Sequence, residues 1–138
     1  MSVLSSLNYL AIFVIALGVF FIGGLWYSPL LFVKPWIREM KLTEEDLKKG
    51  NAPALALLKS YLLTVVSTFA ITILVTLHHS HSARSGAEMG LLIGAGIVAS
   101  REATNAVFEK RTFRHYAIVA GHDVVVCVVT GALVAIWR

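Results

Sequence analysis

Charge is what this chain has least of. Asp, Glu, Lys and Arg together make up 14% of its 138 residues, where a soluble domain carries about 25% to keep its surface compatible with water. Apolar residues make up 57% and the mean hydropathy is +0.77. A small soluble domain is excluded, and the composition points to an integral membrane protein. Cysteine is nearly missing as well. Cys127 stands alone in an apolar run, so no intramolecular disulfide can form and the redox compartment stays open. No Gly-rich phosphate loop, Ser-centred nucleophile elbow or paired metal motif occurs, so no catalytic signature is present. The basic excess, a formal net charge of +4, reads as loop charge that fixes orientation in a membrane rather than as a nucleic-acid surface.

What is present is a set of long apolar runs. A helix needs about 20 apolar residues to cross the hydrocarbon core, and four windows qualify: 7–32, 54–77, 87–108 and 116–137. They are continuous rather than alternating, which favours helices over barrel strands. The first has no Lys or Arg before it and is too long for the apolar core of a signal peptide. The expectation is one all-α membrane domain over residues 1–138, with four transmembrane helices. Between the first two lies 34–51, where Pro35 suits a helix start and Trp36, Ile37 and Met40 give an apolar side. Thr43 to Asp46 resembles a capping box with Asp at its third position, Gly50 closes that helix, and Pro53 opens the next span. This segment is expected to form a short interfacial helical elbow.

The basic residues are unevenly spread. Lys34, Arg38, Lys41, Lys48 and Lys49 lie in the first connection, and Lys110, Arg111 and Arg114 in the third; the second connection has only Arg84 and the C-terminus only Arg138. Eight against two predicts that the first and third connections face the cytoplasm and both termini lie outside. Trp26, Tyr27 and Trp36 are then expected as inner interfacial anchors and Trp137 as an outer one.

The stretch Gly23 to Trp36 (GGLWYSPLLFVKPW) and the stretch Leu42 to Asn51 (LTEEDLKKGN) resemble the bacterial membrane-protein family catalogued as domain of unknown function 1761. Asn105 to Phe113 and the Gly121-His122 pair fit the same pattern, so the resemblance covers essentially the whole chain. It implies a four-span helical protein of the bacterial inner membrane and supplies no activity. Arg101-Glu102 and Asp123 depart from it, since relatives carry small or apolar residues there.

Span three carries Gly86, Gly90 and Gly94 four apart, and Ala95, Ala99 and Ala103 four apart. Small residues at this spacing let two backbones approach closely in lipid, either within the bundle or between copies in a homo-oligomer. Ser60, Thr64, Thr68, Thr72 and Thr76 form a stripe along span two. They read either as hydroxyls bonded back to their own helix or as a polar lane for water, ions or a solute. Counted from the span ends, Arg101, Glu102, His122 and Asp123 each fall about 10 Å inside the inner boundary, with Lys59 at similar depth. Their charges balance, Arg101 is expected to pair with Asp123, and Glu102 is expected near His122 or Lys59. Asn105, one helical turn away, can brace the cluster. The cluster is either functional or a structural ion-pair network. His78, His79 and His81 cannot converge from one regular helix and read as a solvated loop, not a metal site.

Two functional expectations follow. The first is a small oligomeric protein for permeation or transport of an ion, proton or small polar solute. His122 is its protonatable group, Glu102 and Asp123 are acceptors, and Arg101 is their counter-ion. The second is a non-catalytic accessory subunit of a larger membrane complex, in which His122 ligates a tetrapyrrole or the cluster binds anionic lipid headgroups.

Overall fold

A computed structural model describes residues 3–49 and 53–137. The expected helix stop at Gly50 and the basic residue Arg138 lie outside the described residues, as do Asn51 and Ala52. Among the described residues every regular element is helical. After a 3₁₀ turn at Val3–Ser6 come α1 (Tyr9–Trp26), α2 (Val33–Glu39), α3 (Glu44–Lys48) and α4 (Pro53–Leu77). Then follow α5 (Ala83–Leu91), a π-helical segment (Leu92–Val98), α6 (Ala99–Phe108) and α7 (Phe113–Ile136). Three helices, Tyr9–Trp26, Ala54–Leu77 and Phe113–Ile136, are long and apolar enough to cross a bilayer. The fourth expected span is helical over 83–108 but is divided by the π segment, so it is not one uninterrupted α-helix.

Local chemistry explains the boundaries. The Asn8 side chain accepts from the amide of Ala11 at 3.1 Å and starts α1. The first span was expected to reach residue 32, yet α1 stops at Trp26. Pro29 lacks an amide proton and disfavours the helical conformation at the residue before it, and the chain turns over 27–32. The Thr43 hydroxyl accepts from the Asp46 amide at 3.2 Å. The Asp46 carboxylate accepts in return from the Thr43 amide at 2.8 Å, so the shorter acid completes the capping box. The Thr43 hydroxyl also donates to the Asp46 carboxylate at 2.6 Å, and this bond first, then the one from the Thr43 amide, holds the exposed Asp46 carboxyl below its usual pKa. The Ser82 and Thr112 side chains cap α5 and α7 by accepting from the amides of Ser85 and His115. The turns leaving α2, α4 and α6 pass through Lys41, His79 and Lys110 at φ 53°, 54° and 54°, the left-handed conformation that closes helices.

Helix α7 is central, touching α1, α2, α4 and the whole 83–108 stretch. The core joins Ala11, Ile15 and Val19 of α1, Ile71 and Val75 of α4, and Cys127, Val134 and Ala135 of α7. Large apolar side chains cover the outside, among them Phe21 at 66% and Leu63 at 70% exposure.

The glycine seam gives the closest packing. A Cβ on Gly86 would fall on the Gly131 carbonyl, one on Gly90 on the Cys127 carbonyl, and one on Gly94 2.9 Å from Val124 Cα. The predicted glycine stripe is therefore used inside the chain, on α7. Between Gly94 and the next buried residue, Ala99, the spacing is five rather than four. The π segment absorbs that extra residue, since its wider turn keeps both on one face. The two stripes become one seam, Gly86–Gly90–Gly94–Ala99, with Ala103 half-buried and Ala95 turned outward.

Candidate functional site

The seam also sets how far α7 slides along 83–108, and this changes the expected charge cluster. With Gly86 against Gly131 and Gly94 against Val124, Asp123 comes level with Gly94. Arg101 lies seven residues further, about 10 Å along the axis, and comes level with the first turn of α7. The Tyr116 hydroxyl there donates to the Ala99 carbonyl at 3.2 Å. Arg101 is exposed and makes no ion pair with Asp123, and Lys59 is exposed as well. The depths counted from hydropathy ends were wrong because backbone contact, not the end of an apolar run, fixes the slide.

His122 and Asp123 do form a centre. His122 Nδ1 lies 3.0 Å from Asp123 Oδ1, with 19% and 31% of the two side chains exposed. His122 Nε2 is fully buried and has no hydrogen-bond partner. The ring is boxed by Trp26, centroids 6.0 Å apart, and Tyr27 at 5.3 Å. Trp26 is fixed in turn, its indole Nε1 donating to the Ile118 carbonyl at 3.0 Å. Two glycines make the approach possible. A Cβ on Gly23 would stand 3.1 Å from His122 Nε2, and one on Gly121 3.3 Å from Trp26 Cζ2. The most specific sequence block, around Gly23 to Trp36, thus folds onto the Gly121-His122 pair. Trp26, Tyr27 and Trp36 are half-buried, with Tyr27 and Trp36 ring to ring at 5.8 Å. Trp137 is exposed at the other end.

Two crevices meet at Tyr27. One, of about 680 Å³, runs between α1 and α4 and holds His122, Ser60 and Thr64 among apolar side chains. The other, of about 560 Å³, lies under the elbow and is lined by Glu102, Asn105, Glu109, Arg111 and His115 with Trp36 and Met40. Thus Glu102 and Asn105 belong to a different chamber from His122. Tyr27 lines both. Its phenol, just past the end of α1, is pushed up to about 12 by burial and then by the carboxylates of Asp123 and Glu102.

Sequence reasoning missed the polar contacts that wall the chamber Glu102 lines. Arg111 donates from Nε to Glu109 at 2.5 Å. Its Nη1 reaches Met40 Sδ at 2.7 Å and lies 3.2 Å from His115 Nε2. The Thr112 hydroxyl bonds to the Glu39 carboxylate. These contacts dock α2 on the connection into α7. The only signal for them was the density of polar residues from Glu109 to His115, which reads as an ordinary solvated turn.

The hydroxyl stripe divides too. Thr64 and Thr72 donate back to the carbonyls of Ser60 and Thr68, at 2.9 and 2.7 Å. Ser60 and Thr64 face the larger crevice, whereas Thr68 and Thr72 are 1% and 2% exposed in the core. The hydroxyls of Thr68, Thr76, Ser80 and Thr130 are buried without a partner. The stripe is therefore not an open lane along its length. His78, His79 and His81 are exposed on the turn into α5.

In comparisons with known proteins, a family model described as "Protein of unknown function (DUF1761)" matches residues 10–135. No curated protein matches, and no solved structure does.

Proposed function

The chain belongs to the DUF1761 family of proteins of unknown function, a membership that brings no activity with it, and from that premise we propose a four-span membrane protein that passes protons or a small polar solute through His122. The observation that carries this reading is the state of the imidazole. With Asp123 on Nδ1 and nothing on the buried Nε2, the neutral ring offers Nε2 as an acceptor and the protonated ring offers it as a donor, with Asp123 balancing the charge. The chamber under the elbow is the polar vestibule on one side of Tyr27, and the α1–α4 crevice lies on the other. Burial of Thr68 and Thr72 argues for passage in steps, with local opening, rather than for a standing pore.

The fourth span in this reading is 83–108. It lies along α7 from Gly131 at one end to Tyr116 at the other, so a bilayer crossed by α7 is crossed by its partner. The basic asymmetry puts the elbow at the cytoplasmic face. A cysteine at Ser82 is expected to react with an impermeant reagent added outside, and one at Lys48 is not; the reverse pattern inverts the orientation.

Reconstituted in liposomes with an internal pH dye, the wild-type chain is expected to carry a proton flux that His122→Phe reduces at least tenfold. Equal flux in the two proteins removes the reading. A second reading, an accessory subunit that ligates a tetrapyrrole through His122, draws on the same Asp123 contact, because a carboxylate on Nδ1 orients an imidazole for ligation through Nε2. A visible absorption band in the purified protein, lost in His122→Phe, would select it.

A further inference from the structure

The α1–α4 crevice has a chemical character that proton passage does not require. Among the described residues no charged side chain lines it, yet four polar groups do: His122, Tyr27, Ser60 and Thr64. Three aromatic rings, Phe20, Phe21 and Tyr27, contribute to its walls. Its volume of about 680 Å³ lies within the range of about 300–1,000 Å³ seen for sites that take small organic molecules. Its rim is the outward face of the bundle, with Phe21 and Leu63 66% and 70% exposed.

We propose that this crevice binds an uncharged lipid with a planar, oxygen-bearing ring, of the quinone–quinol class, entering sideways from the bilayer. Each feature excludes an alternative. A phosphate headgroup finds no cation in the lining, and burying an unpaired charge there is costly. A plain alkyl chain leaves the buried His122 Nε2 without a partner, a penalty that a carbonyl or phenolic oxygen removes. A flat ring matches the aromatic walls, which favour offset or edge-on stacking. Nε2 is buried against Gly23, where an added Cβ would stand only 3.1 Å away, so the ring oxygen reaches it as the α1 side repacks around the occupant. The imidazole serves either oxidation form: neutral, it accepts from a quinol hydroxyl, and protonated, it donates to a quinone carbonyl. Binding alone is proposed, and it stands whether or not protons pass.

The test is thermal unfolding of the purified, detergent-solubilised chain titrated with decylubiquinone. A ligand of the folded state raises the unfolding temperature with concentration. The expected result is a saturable rise in the wild type that needs at least tenfold more decylubiquinone in His122→Phe. Ser60→Leu, at an exposed position on the rim, keeps the fold and fills the mouth, so it weakens the response even should His122→Phe fail to fold. Three outcomes overturn the proposal: no rise in the wild type, an unchanged rise in Ser60→Leu, or an equal rise with phosphatidylglycerol at the same concentration. Proton flux does not enter this readout, so its failure is separate from failure of the transport reading.

Discussion

The two sides of α7 are built on opposite principles. Toward 83–108, backbone meets backbone: Gly86 on Gly131 and Gly90 on Cys127, with no space for one added carbon. Toward α1 and α4, larger side chains hold the helices apart, and a crevice of about 680 Å³ remains. Even where α1 approaches closely, through Gly23 and Gly121, the added carbons would meet side-chain rings rather than backbone. The tight side cannot adjust without parting the helices. The loose side can repack around an occupant, and it is there that His122 keeps a buried nitrogen unpaired. Rigidity and room are allotted to different faces of one helix.

Glycine substitutions break or sharpen this contrast most directly, since helix propensity alone favours Ala over Gly by about 1 kcal/mol at any interior helical site. The largest effect is expected for Gly131→Ala. Its Cβ would fall on the Gly86 carbonyl, and overpacking of about 1–3 kcal/mol outweighs the propensity gain. Thermal unfolding in detergent should show a clear loss; an unchanged midpoint means the seam is not close-packed. Next is Trp26→Phe, which removes the indole donor to Ile118 and is expected to lose about 0.5–1.5 kcal/mol by the same assay. A loss exceeding that of Gly131→Ala would make α1, not the glycine seam, the firmer attachment. The smallest effect has the opposite sign. A Cβ on Gly24 meets nothing within 4 Å, so Gly24→Ala should stabilise by about 0.5–1 kcal/mol. If it destabilises, the α1 side is as crowded as the seam.

Much of the local structure could be read directly. The apolar windows found α4 within a residue, the Thr43–Asp46 box was visible in spite of its Asp, and the glycine spacing named three residues that do sit against α7. The site was legible only in pieces. His122 and Asp123 were singled out, but Arg101 was grouped with them on a depth argument that the register does not support, and Lys59, although beside Ser60 at the level of His122, is exposed. Tyr27 and Trp26, read as interfacial anchors, turned out to wall the imidazole.

Composition and spacing determined what each segment is: lipid-compatible helix, capped elbow or close-packing stripe. These depend on residues within a few positions of one another, where propensity, hydrogen bonding and period act directly. Only the tertiary structure decided the slide of 83–108 along α7 and the face on which α6 continues. The slide rests on contacts such as Gly86 with Gly131, far apart in sequence, which no local pattern specifies. One residue absorbed in the π segment turns everything after it by about 100° relative to an unbroken helix. The slide, not that turn, is why Arg101 and Asp123, placed side by side by counting along the chain, stand about 10 Å apart along the helix axis.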